Sequence, residues 1–149
     1  MDVRTLFSPS RMTFDLQGQT KESVLDELIE LLYNDGKLID KESFKKAVLK
    51  REEEFSTGIG MGIAIPHGKD SSVTEPCVTF GLSKKGVDFA SMDNQPAYLF
   101  FLISVPESAD NTHLDLLSFI SRKLIHEEVR NKLLSAKSYE DVVSAFEEK

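Results

Sequence analysis

Apolar residues recur at helical spacing over Lys21–Asn34, where Val24, Leu25, Leu28, Ile29, Leu31 and Leu32 gather on one face. Thr20 is positioned to cap that helix and Gly36 to stop it. Asp40 opens a second helix through Phe44, Ala47, Val48 and Leu49, which the charged stretch 50–54 is expected to end, leaving Arg51 at its terminus. Residues 12–16 alternate apolar with polar and read as a half-buried strand after an irregular lead-in over residues 1–10. Residues 63–65 form a short apolar strand among Gly58, Gly60, Gly62 and Gly68, and residues 77–82 and 97–104 form two more. The last is apolar almost throughout, as a strand covered on both faces should be, and is assigned to the sheet centre. Residues 87–89 are a candidate edge strand between the turn-like Lys85-Gly86 and Asp93-Asn94-Gln95-Pro96. From Asn111 onward the pattern is helical, with His113, Leu117, Ile120 and Leu124 on one face, Val129 and Leu133 on another, and Ser138 opening a final helix. Helices before and after a set of strands predict one α/β (α+β) domain over residues 1–149, a mixed sheet of about four to five strands with helices on both faces.

Composition narrows the function classes. The 149 residues carry 18 Lys and Arg against 25 Asp and Glu, a net charge of −7, which opposes non-specific binding to a phosphate backbone. The longest apolar run is half of the roughly 20 residues a membrane-crossing helix needs, and no signal peptide is recognisable, so a cytoplasmic location is expected. The single Cys77 excludes an internal disulfide, and with three histidines any metal site would need carboxylates. Phosphate-binding Gly-rich loops, a hydrolase nucleophile elbow and a zinc-binding HExxH are all absent; Gly58-Ile59-Gly60-Met61-Gly62 leads into a strand rather than a helix.

The chemistry concentrates at His67. It ends an apolar strand behind Pro66, whose ring restricts the backbone, and ahead of Gly68, where another backbone or a substrate can approach closely. Neutral imidazole is a nucleophile at pH 7, and one presented at a strand mouth can accept a transferable group in line. A histidine merely hydrogen-bonded in a turn would leave the same trace. Phosphoryl transfer also needs groups that steady the equatorial oxygens. Arg51 lies sixteen residues before His67, and His113 opens a helix behind the candidate caps Asn111 and Thr112. A solvated helix-end charge and a capped surface histidine are their plain alternatives. His126, beside Glu127 and Glu128 in an amphipathic tail, has no such setting and reads as structural.

The run Arg51-Glu-Glu-Glu-Phe-Ser-Thr-Gly-Ile-Gly-Met-Gly-Ile-Ala-Ile-Pro-His67-Gly-Lys resembles the active-site signature of the fructose/mannitol-type enzyme IIA domains of the bacterial phosphotransferase sugar-uptake system. That signature asks for an acidic or amide residue, an apolar-Gly pair and apolar-Ala-apolar-Pro-His, met by Glu52, Ile59-Gly60 and Ile63-Ala64-Ile65-Pro66-His67. A second block, from Val87-Asp-Phe through Phe100-Phe-Leu-Ile and Pro106 to Asn111-Thr-His113-Leu, is similar to the family's later pattern. The resemblance implies that His67 is phosphorylated by the phosphocarrier protein HPr and passes the group to a cysteine of a sugar-specific IIB domain. It implies that His113 and Arg51 orient and neutralise the phosphoryl group, and that no cofactor and no resident metal are needed. Phe55, Ile59 and Met61 are candidate partner contacts, with core packing as their alternative. Lys85-Gly86-Val87-Asp88-Phe89 and Met92-Asp93-Asn94 look most like fructose-type members, so a fructose-like sugar is favoured. The principal rival is a regulatory, nitrogen-type enzyme IIA whose His67 phosphorylation controls a partner protein. A third reading is a metal-dependent hydrolase built on His67, His113 and carboxylates such as Asp110 or Glu75.

Overall fold

The computed structural model describes residues 2–147. Among these residues, α1 (Val3–Leu6), α2 (Lys21–Asn34), α3 (Lys41–Glu54), α4 (Thr112–Leu124), α5 (Glu127–Leu134) and α6 (Tyr139–Glu147) surround six strands. The strands are β1 (Met12–Thr13), β2 (Gly58–Gly60), β3 (Ile63–Ala64), β4 (His67–Lys69), β5 (Cys77–Val87) and β6 (Ala97–Val105). They form one mixed sheet in the order β1-β5-β6-β3-β2, with β4 also paired to β6. The central position of β6 follows from its sequence. Leu99, Phe101 and Ile103 enter the core under α1, α4, α5 and α6, while Phe100 and Leu102 enter the core under α2 and α3. A strand buried on both faces has no polar side to offer water. Cys77, at the start of β5, lies in the α2/α3 core, and burial pushes its thiol up to about 11.

Several expectations change. Within the lead-in predicted over residues 1–10, residues 2–10 are not irregular: the Asp2 side chain accepts the Arg4 N–H to cap α1, and Ser8 caps a short 3-10 turn over Pro9–Arg11, while residue 1 lies outside the described residues. Pieces this short leave no periodicity. The first predicted strand shortens to Met12 and Thr13, which form the ladder with β5, while the Leu16 N–H still donates to the Leu82 carbonyl of β5 at 2.9 Å. The charged stretch 50–54 forms the last turn of the second helix, which stops at Glu54 and leaves Arg51 at its terminus as expected, and within that stretch Glu52 is buried. No separate strand exists at 87–89; Val87 closes a longer β5 by pairing with Ala97 past a register irregularity. The mixed sheet with helices on both faces is as expected, and its strand count reaches six because the three-residue, glycine-bearing segments β2 and β4 also pair.

Thr20 caps α2 by accepting the Ser23 N–H, and Asp40 caps α3 through the Ser43 N–H, as their positions predict. β3 and β4 lie end to end along the same side of β6, pairing Ile63 with Leu99 and His67 with Ile103. Between them Pro66 has no N–H to give, although its carbonyl accepts the Ile103 N–H at 2.9 Å. α3 then packs directly on β4. A Cβ at Gly68 would stand 2.8 Å from Phe44 Cε1 and 2.8 Å from Val48 Cγ2, both in fully buried side chains. Gly68→Ala is therefore expected to force α3 away from β4 and to destabilise the chain by about 1–3 kcal/mol. Urea unfolding checks this, and an unchanged midpoint would show that α3 has room to spare.

Candidate active site

α3 covers one face of the sheet and α4 the other, and an open cleft of about 540 Å³ lies between them beside β4. Its walls bring together Arg51 from α3, His67 from β4 and His113 from α4. The two imidazole rings stack with centroids 6.4 Å apart and planes inclined by 27°. Lys50 and Lys69 also line the cleft, facing one carboxylate there, Glu54. An acidic protein thus carries a locally cationic cleft beside the N-terminus of α4, a combination suited to an anion. Neither lysine was singled out from sequence, yet both were accessible to it. Lys69 is two residues from His67 on a strand, and Ala47, Lys50, Arg51 and Glu54 share one stripe of α3.

His67 is held by its own backbone neighbourhood. Its Nδ1 lies 3.1 Å from the Ile65 carbonyl oxygen. A carbonyl only accepts, so the neutral ring carries its proton on Nδ1 and leaves the lone pair on Nε2. Burial, reinforced by the Arg51 guanidinium and by His113, lowers its pKa from the ordinary 6.5; the Ile65 hydrogen bond and Glu52 pull the other way. Because the folded value is depressed, the neutral ring's contribution to stability is complete above pH 6.5 and is lost as pH falls from there through the folded value. A ring titration followed by NMR is expected to give a midpoint below 6.5, and a midpoint at or above 6.5 would contradict this balance.

Arg51 Nη1 donates to the Phe55 carbonyl at 2.9 Å, which anchors the guanidinium at the C-terminus of α3. Lys69 Nζ donates to the Asp110 carbonyl at 3.0 Å. Asn111 occupies the cap position of α4 but makes no side-chain cap bond. His113 Nδ1 is buried without a hydrogen-bond partner. An orphaned buried N–H costs more than an orphaned lone pair, so the ring proton belongs on Nε2. The turn joining β2 to β3 runs through three left-handed residues, Gly60, Met61 and Gly62, with φ of 94°, 57° and 77°. Asp93 braces it by accepting the Met61 N–H at 3.0 Å, a bond that lowers the carboxyl's pKa. Phe55 and Met61 are exposed, whereas Ile59 is half-buried against the core. Glu75 pairs with Lys37, and no group of three or more His, Cys, Asp or Glu among the described residues is placed to hold a metal. His126 is exposed at the start of α5.

The family model for the phosphoenolpyruvate-dependent sugar phosphotransferase system, EIIA 2, matches residues 5–149. The chain belongs to that family. It is 40% identical over 147 residues to the PTS system fructose-specific EIIA component of Haloferax volcanii, covering 99% of this chain and 96% of that protein. It is 45% identical over 143 residues to the PTS system fructose-specific EIIABC component of Bacillus subtilis, covering 96% of this chain but 22% of that longer relative. Among solved structures, it superposes on the nitrogen regulatory protein IIA-Ntr of Neisseria meningitidis with a TM-score of 0.83 and 28% identity, over 95% of this chain and 97% of that one. It shares its fold with the IIA mannitol enzyme of Escherichia coli, solved in complex with phosphorylated enzyme IIB mannitol, at a TM-score of 0.80 and 23% identity, over 94% and 96% of the two chains. The chain is accordingly an EIIA domain, a phosphoryl-transfer component of a phosphotransferase system. None of its described helices is long and apolar enough to cross a membrane.

Proposed function

We propose that His67 accepts a phosphoryl group from phosphorylated HPr and delivers it to a cysteine of a sugar-specific IIB domain in a fructose-type uptake system. The observation that carries this reading is the Nδ1 to Ile65 carbonyl bond, which reserves the Nε2 lone pair of a neutral ring for phosphorus in a cationic cleft. In the step, Nε2 forms the new N–P bond as the donor's bond to phosphorus breaks, and the electron pair of that bond leaves with the donor. His113 Nε2–H donates to one phosphoryl oxygen, and Arg51 offsets the charge of up to about −2 that the group brings. Lys50 and Lys69 add to the same field. Reverse geometry serves delivery, when an attacking thiolate takes the phosphorus and the ring recovers its lone pair. The exposed Phe55 and Met61 are apolar contacts for these transient, cytoplasmic partners.

Fructose is favoured as the sugar served because the Haloferax and Bacillus relatives are fructose-specific; the sugar itself meets other components. The Neisseria structure supports a second reading, in which the phosphorylation state of His67 controls a partner protein instead. Incubation with phosphoenolpyruvate, enzyme I and HPr is expected to add about 80 Da to the intact mass, as one acid-labile, alkali-stable phosphoryl group. No gain from a donor shown to be charged would overturn the relay.

A further inference from the structure

Glu52 is a carboxylate in an unexpected place. Its neighbours Glu53 and Glu54 are exposed, while Glu52 is 9% exposed and does not line the cleft. Burying a charge is costly unless it is paired and hydrogen-bonded. Here Lys21 Nζ, from the first residue of α2, stands 2.7 Å from Glu52 Oε1. The Thr57 N–H donates to the same oxygen at 3.0 Å, and the Thr57 hydroxyl donates to Oε2. Lys21 is held in turn, 4.8 Å above the Phe89 ring and 3.4 Å from Ser56 Oγ.

What Thr57 does next gives this cluster its direction. The Thr57 carbonyl accepts the Ile65 N–H at 2.9 Å, and the Ile65 carbonyl accepts Nδ1–H of His67 at 3.1 Å. Because Pro66 follows, no amide proton of the next residue can help hold this stretch of chain. The Ile65 carbonyl is therefore oriented from one side by the bond from its own N–H to Thr57 and from the other by the Pro66 carbonyl bonded to the Ile103 N–H, and Thr57 is fixed in turn by Glu52. We propose that Glu52 is a positioning residue for His67, acting through Thr57 and Ile65 to keep the imidazole proton on Nδ1 and Nε2 free. The proposal rests on the reading of His67 as the phosphoryl acceptor, and it assigns Glu52 no contact with the phosphoryl group.

Two variants separate this role from that of a merely structural ion pair. Lys21→Met with Glu52→Met replaces both charges by apolar groups of similar length, which avoids an orphaned buried charge and keeps the fold. It also removes the anchor of Thr57. Glu52→Gln discards the charge and keeps an acceptor for the Thr57 N–H. The readouts are the His67 tautomer, from long-range proton–nitrogen NMR of the ring, and the initial rate of phosphoryl uptake from phosphorylated HPr. The double variant is expected to melt near the wild-type temperature, to show a mixture of Nδ1–H and Nε2–H tautomers, and to accept phosphate about tenfold more slowly. Glu52→Gln is expected to keep the wild-type tautomer and a rate within about threefold. A folded double variant with wild-type tautomer and rate would overturn the proposal. Wild-type protein that takes no phosphate would overturn the relay reading instead, and the tautomer comparison would still decide the role of Glu52.

Discussion

His67→Ala is expected to abolish phosphoryl uptake while leaving the protein folded. The His113 ring centroid lies 6.4 Å from that of His67, and its lone pair, on the buried Nδ1, cannot be presented to a donor docked over the cleft. No second nucleophile is therefore poised to take over. The fold loses little, because the side chain is half-buried and makes one hydrogen bond, to the Ile65 carbonyl, worth about 1 kcal/mol. Intact mass after incubation with the charged donor, read beside circular dichroism, checks both halves. A full mass gain in His67→Ala would assign the acceptor to another residue, and loss of the dichroism signal would assign His67 a structural role.

Arg51→Ala is expected to slow uptake by about 10²–10³-fold, the usual cost of deleting one preorganised donor to developing charge. The guanidinium is preorganised because Nη1 is tied to the Phe55 carbonyl at 2.9 Å, so its position is set before any phosphoryl group arrives. Loss of that bond costs about 1 kcal/mol of stability, far less than the effect on rate. Arg51→Lys should recover only part of the rate, since a point charge lacks the planar fork that matches phosphoryl oxygens. Rapid-quench measurements against phosphorylated HPr provide the test. Unchanged rates in both variants, with a lowered melting temperature, would reduce Arg51 to a cap on α3.

The parts legible in the sequence were those with long, repeated patterns or strong local chemistry. The helix α2 follows from its apolar stripe and the Thr20 cap, and the centrality of β6 from an apolar run that left no face for water. The short glycine-bearing strands β2 and β4 were invisible, because pairing at Gly58–Gly60 and His67–Lys69 is decided by the neighbouring strands rather than by side-chain pattern. At the candidate site, the types and order of Arg51, His67 and His113 could be read from the chain. Their convergence could not, since it depends on α3 and α4 lying on opposite faces of a sheet whose strand order no periodicity encodes. The signature also marked Glu52, with no hint that its carboxylate is buried or that three hydrogen bonds in series, through the backbones of Thr57 and Ile65, link it to His67.

The buried thiol of Cys77 has a consequence for the fidelity of the relay. In the proposed relay, delivery to a IIB domain takes a thiolate as attacking group, and the chain carries a cysteine of its own. With its pKa pushed up to about 11 inside the α2/α3 core, Cys77 stays protonated and out of reach at neutral pH. If His67 carries the phosphoryl group as proposed, that group therefore has no internal short circuit to a thiophosphate dead end, and Cys77 of a second copy cannot discharge it either. The same inertness makes the wild-type chain a ready background for single-site labelling, since a cysteine introduced at a surface position would be the one thiol that reacts.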